Sequence, residues 1–197
     1  MCGNITNISM SALHSLKGTN WLFGDILNAY LNLVKQQSRL KVFTADTYVF
    51  TAFSNDNNKK NFTRNKVNPF DFDLMFIPIN IMENHWALTT TFVKDKCIRY
   101  YDSLSQGNHH GLKQCKTVKE FLESNFVLNS TTSDLTQWHL ENAADTPQQP
   151  DGHNCGVYVC QNAKCISRRE IFSVRPSDLP AIRKEMVAEL ALGFLFN

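Results

Sequence analysis

Residues 85–104 read HWALTTTFVKDKCIRYYDSL. Two β-branched and aromatic runs, 85–93 and 97–104, flank Lys94-Asp95-Lys96, a spacing that predicts an antiparallel hairpin with a tight connection. Folding the second run back onto the first brings His85 and Asp102 to one end of the sheet, with Asp102 opposite Ala87 or Leu88. In a twisted sheet a side-chain hydrogen bond can span that offset. A carboxylate that accepts from one imidazole nitrogen fixes the tautomer and leaves the other nitrogen as a proton acceptor. Such a pair calls for a nucleophile.

The candidate lies in PQQPDGHNCG, residues 147–156. The pattern of CGVYVCQNAKCISRR (155–169) predicts a helix beginning at Cys155, where unpaired N–H groups, the helix dipole and a nearby imidazolium favour a thiolate. Pro150 and Gly152 suit a sharp turn into that helix. Gly156 leaves room beside the sulfur for a substrate carbonyl. A glutamine amide upstream can donate to a developing oxyanion, a contact worth about 3–4 kcal/mol when removed. Either Gln148 or Gln149 can fill that role.

The rest of the chain reads as one α+β domain of 21–197 preceded by a short polar arm, 1–20. WLFGDILNAYLNLVKQ places Leu22, Ile26, Leu27, Tyr30, Leu31 and Val34 on one helical face, with Asp25 and Asn28 opposite. VFTADTYVFTAF (42–53) is aromatic and β-branched, which favours extended structure. Residues 54–69 form a polar loop, and 73–80 a strand ahead of the hairpin. Residues 117–126 suit a helix and 135–143 a further strand. PSDLPAIRKEMVAELALGFLF closes the chain as an amphipathic helix with Ser177 as its N-cap.

Composition narrows the function classes. The chain has 197 residues, 43% of them hydrophobic, with 14 Phe, which suffices for one sizeable core. A net charge of +2 without any Lys/Arg run gives no nucleic-acid footprint. No Gly-rich loop precedes a helix, so phosphate binding is unsupported. The N-terminus lacks a secretory pattern, Gly3 stands outside the myristoylation motif, and no apolar run reaches the ~20 residues that span a bilayer. Nucleus or cytoplasm is the expected setting, and the sequons at Asn4, Asn7, Asn61 and Asn129 are read as chance. None of the six cysteines forms a Cys-x-x-Cys pair. Cys97, Cys160 and Cys165 read as small buried hydrophobes, Cys2 and Cys115 as surface or loop thiols. His153, Cys155, Cys160 and Cys165 follow no zinc spacing, so neither metal nor cofactor is expected.

Taken together, the segments resemble the ubiquitin-like-protein proteases, the sentrin/SUMO-specific cysteine peptidases of the Ulp family. WLFGDILNAYLNLV is similar to the family's opening helix, HWALTTTF to the strand carrying His-Trp, and IRYYDSLS to the strand ending in Asp-Ser. PQQPDGHNCGVYVC is similar to its Gln-rich loop and nucleophile helix, and DLPAIRKEMVAEL to its terminal basic helix. The resemblance implies a papain-like α+β fold with a central mixed sheet flanked by helices. It implies Cys155 as nucleophile, His85 as general base and acid, Asp102 as orienter and Gln149 as oxyanion donor, with Gln148 structural. It implies Trp21 and Trp86 as lid and floor of a tunnel for a Gly-Gly tail. The implied substrates are a SUMO-like modifier and its lysine-linked conjugates, handled by a monomer.

Two positions depart from the family pattern. Phe23 and Gly24 stand where the family carries Asn and an acid, with Asp25 one residue on, which weakens the inference to SUMO in particular. Asn154 replaces the acid before the nucleophile. NEDD8 and ubiquitin are alternative modifiers. An acetyltransferase with the same constellation would need no diglycine tunnel, and a non-catalytic binding module would not need Cys155.

Overall fold

The computed structural model describes residues 8–55, 68–104, 111–125 and 135–196. In chain order its elements are α1 (Met10–His14), α2 (Gly24–Gln37), β1 (Val42–Thr44), α3 (Thr47–Asn55), β2 (Leu74–Ile81), β3 (His85–Phe92), β4 (Cys97–Tyr101), α4 (Gly111–Asn125), β5 (His139–Asn142), α5 (Cys155–Arg168) and α6 (Leu179–Leu192). The strands form one sheet in sequential order. β2–β3 and β3–β4 pair antiparallel, while β1 and β5 are added parallel at the two edges. The sheet is therefore mixed, as expected.

The hairpin register pairs Leu88 with Tyr101 and Phe92 with Cys97. Extending it by one residue sets Asp102 against Ala87, one of the two expected partners. Both faces of the sheet are covered, so alternate strand residues enter different cores. Leu74, Phe76, Trp86, Leu88 and Tyr101 pack with α2, α5 and α6. Met75, Ile77, Ala87, Ile98 and Tyr100 pack with Phe50 and Phe53 of α3 and Val118, Phe121 and Leu122 of α4. α5 lies between α2 and the sheet and is buried almost all round, which is why its sequence shows no clean polar stripe. That burial sets Cys155 at a rigid helix start, beside the end of the sheet that carries His85.

Several expectations are corrected. Residues 47–53 are helical: Asp46 Oδ1 accepts from Tyr48 N–H at 2.8 Å, an aspartate turn that starts α3, and burial of Phe50 and Phe53 overrides β propensity. The stretch expected as a polar arm contains α1, with Ala12 and Leu16 buried in the core. Asp178, not Ser177, is the N-cap of α6, because Pro176–Asp178 form a preceding 3-10 turn. Cys115 is fully buried on α4, its thiol donating to the Ile98 carbonyl at 3.6 Å. Cys2 and the four sequons lie outside the described residues.

Candidate active site

His85 opens β3 directly after the turn Met82–Asn84, whose Met82 and Glu83 adopt left-handed backbone angles. Its Nε2 bonds Asp102 Oδ1 at 2.7 Å. Its Nδ1 is buried without a partner in hydrogen-bonding geometry, although the Cys155 thiol is near enough to raise the ring's pKa. Asp102 thus takes the Nε2 edge of the imidazole, and Cys155 lies close enough to act on the ring. Burial works to lower the His85 pKa, but the bond to Asp102 and the proximity of the Cys155 thiol outweigh it and raise the value from 6.5 to about 9. A value of about 9 favours the imidazolium at neutral pH, with Nε2 bonded to Asp102 and Nδ1 free to carry the second proton.

Asp102 is held from three sides. Beyond His85, its Oδ1 accepts from Leu104 N–H at 2.9 Å, and its Oδ2 accepts from Tyr100 Oη at 2.8 Å. Burial pushes its pKa up, yet these donors and the imidazolium hold it below the usual carboxylate value. The Tyr100 hydroxyl is raised, first by burial and then by the Asp102 charge, so it remains a donor.

The loop before Cys155 is fastened to the end of β4. Gln148 Nε2 donates to the Asp102 carbonyl at 3.0 Å and to the Thr146 carbonyl at 3.1 Å, a structural role as expected. Gln149 N–H donates to the Ser103 carbonyl at 2.8 Å, and Ser103 Oγ donates to Gln149 Oε1 at 2.6 Å. Gln149 Nε2 donates to the Asp151 carbonyl at 2.6 Å, one of the two bonds its amide nitrogen can give.

Asp151 closes the turn into α5. Its Oδ1 accepts from the backbone N–H of His153 (2.9 Å) and Asn154 (3.0 Å), and its Oδ2 accepts from Asn154 Nδ2 (2.8 Å). Burial opposes ionisation, but those donors keep the carboxyl below its usual value. Asn154 Oδ1 in turn accepts from Arg183 Nε at 2.9 Å. Arg183, buried on α6, also donates to the carbonyls of Ser15 (3.1 Å), Asn20 (2.8 Å) and His153 (3.2 Å). One guanidinium thereby joins α6, the segment leading to Trp21 and the residue before the nucleophile. The Asn154 amide thereby bridges the Asp151 carboxylate and the Arg183 guanidinium.

Trp21, Trp86 and Cys155 line one groove of about 430 Å³. Trp86 is buried, and its Nε1 donates to the Leu22 carbonyl at 2.9 Å, while Trp21 is half exposed. A Cβ on Gly156 would lie 2.9 Å from Leu22 Cβ, so the missing side chain admits Leu22 beside the start of α5.

Sequence reasoning missed Tyr100, Ser103, Asp151 and Arg183. Arg183 was discoverable, because it shares the apolar stripe of α6 with Leu179, Met186 and Leu190. Among the described residues no group of three or more His, Cys, Asp or Glu is arranged to hold a metal ion.

The Ulp1 protease family, C-terminal catalytic domain, matches residues 20–192. The chain belongs to this family. A sentrin-specific protease of Caenorhabditis elegans is 31% identical over 90% of the chain, and human sentrin-specific protease 2 is 29% identical over 93%. The matched region spans only 26% and 32% of those proteins. The fold is that of the C-terminal Ulp1 protease domain solved with Smt3, the yeast ortholog of SUMO. That likeness has TM-score 0.81 and 23% identity, and covers 94% of this chain and 83% of the other. The Xanthomonas campestris effector XopD bound to ubiquitin is similar at TM-score 0.58 and 20% identity, over 88% of this chain and 92% of that one.

Proposed function

We propose that the chain is a cysteine isopeptidase and processing peptidase that cleaves after the C-terminal Gly-Gly of a ubiquitin-like modifier, with SUMO as first choice. The observation that carries this reading is the Asp102-bonded His85 ring close to Cys155, which itself lines the groove with Trp21 and Trp86. Cys155 sulfur attacks the terminal glycine carbonyl, giving an oxyanion that the second Gln149 N–H stabilises. Collapse breaks the C–N bond as His85 Nδ1 gives its proton to the leaving lysine Nζ. Water then attacks the thioester while His85 takes back a proton, and Cys155 leaves as thiolate. Trp21 and Trp86 restrict the approach to a tail without Cβ atoms.

One feature supports the proposed setting. Cys97, Cys115, Cys155, Cys160 and Cys165 are free thiols, in keeping with nucleus or cytoplasm. Phe23 and Gly24, in place of the family's Asn and acid, favour a second reading in which the same chemistry acts on NEDD8 or ubiquitin.

The test is kcat/KM for C-terminal aminocoumarin amides of SUMO, NEDD8 and ubiquitin. Hydrolysis should be fastest for SUMO and vanish in Cys155→Ala. Preference for NEDD8 or ubiquitin would select the second reading, and hydrolysis that survives Cys155→Ala would refute both.

A further inference from the structure

The α2 start carries an apolar residue where a helix favours a polar one. Phe23 is the N-cap, it makes no capping hydrogen bond, and its ring is 51% exposed. Ser, Asn or Asp at that position would satisfy a free N–H of the first turn; the Phe23 carbonyl accepts from Ile26 N–H at 3.0 Å, but its side chain adds no cap. Its neighbour Gly24 lets α3 close in. A Cβ on Gly24 would lie 2.7 Å from Thr47 Oγ1 and 3.4 Å from the Tyr48 ring. Tyr48 consequently stands over the α2 start, 58% exposed, and its hydroxyl donates to Asp25 Oδ1 at 3.1 Å. Asp25, the nearby carboxylate, is thereby engaged within the chain.

Phe23 and Tyr48 line the same groove as Trp21, Trp86 and Cys155. Any chain that places a carbonyl on Cys155 and lies in this groove must run past these rings. We propose that Phe23 and Tyr48 form a subsite for an apolar side chain of the modifier tail, upstream of its diglycine, in place of recognition by a carboxylate. The occupant is fixed by continuity with the nucleophile: it is the segment of the acyl half whose terminal glycine reaches Cys155. Aromatic faces exclude water there and reward an aliphatic chain, whereas an aspartate or glutamate on the tail would be desolvated without a partner. The inference rests on the peptidase reading and adds the chemistry that selects the tail.

The test varies three positions upstream of Gly-Gly in SUMO aminocoumarin amides, to Leu, Lys or Glu, and measures kcat/KM. At one position Leu should exceed Lys and Glu by about tenfold. Phe23→Asn, which improves the cap, and Tyr48→Ala should each reduce that ratio to below about threefold. No Leu preference in the wild type, or a preference unchanged in both variants, overturns the subsite while hydrolysis upholds the peptidase reading. Absence of hydrolysis of every tail overturns both.

Discussion

Replacing Arg183 by methionine keeps an apolar stem in the core and removes the guanidinium. Four acceptors lose their donor, but they do not count equally. The bonds to Ser15 O and Asn154 Oδ1 are buried, whereas water can reach Asn20 O and His153 O. Two buried charge-assisted bonds at roughly 1.5–3 kcal/mol each amount to ~3–6 kcal/mol. Removing the guanidinium also relieves its own desolvation, which holds the Arg183 pKa below its usual value. A net loss of about 3 kcal/mol follows, or a Tm lower by ~6–12 °C for a domain of this size. Arg183→Lys keeps the charge but not the fork, and should recover less than half of the loss. Calorimetry or urea unfolding gives the stability, and kcat/KM measured well below both transitions gives the effect on the nucleophile. There kcat should fall more than KM rises, because Asn154 directly precedes Cys155. A Tm within about 2 °C of wild type for the methionine variant, or full recovery by lysine, would refute the role of the guanidinium fork.

Three further outcomes follow from the site. The His85 pKa of about 9 lies above its ordinary 6.5, so its contribution to stability is complete below 6.5 and is lost as pH rises through about 9. The basic limb of kcat/KM should fall in the same range, and Asp102→Asn should move that limb to lower pH, as a pH–rate profile would show. Gly156→Ala drives a Cβ into Leu22, whose carbonyl holds Trp86, and should cost about 1–3 kcal/mol in urea unfolding together with slower turnover. Asn154→Asp sets a carboxylate against Asp151 Oδ2, 2.8 Å from the present amide nitrogen. At pH 8 the double variant with Asp151→Asn should be more stable than this single one, and unfolding at pH 4 should show a smaller gap.

The hairpin was readable because two runs of similar length and the short connection Lys94-Asp95-Lys96 leave little freedom of register, so His85 and Asp102 could be paired before the fold was known. Cys155 was found through its helix start and glycine neighbour. Local pattern failed where tertiary contacts decide. Residues 47–53 carry strand-prone residues, but Asp46 starts a helix and the second core buries Phe50 and Phe53. Ala12 and Leu16 belong to too short an amphipathic segment to show a period. The Gly156 contact depends on Leu22, 134 positions away in sequence, and no spacing argument reaches that far. The link from Asp151 through Asn154 to Arg183 joins a loop to a helix 29 positions on from Asn154, and only the folded chain makes it visible.

The central claim is that Cys155 is the nucleophile for a diglycine tail. Incubation with SUMO bearing a C-terminal propargylamide, followed by peptide mapping, should place a single adduct on Cys155. The adduct should slow strongly in His85→Ala and be absent in Cys155→Ala. Modification of another cysteine, or an adduct rate unchanged by loss of His85, would contradict the account.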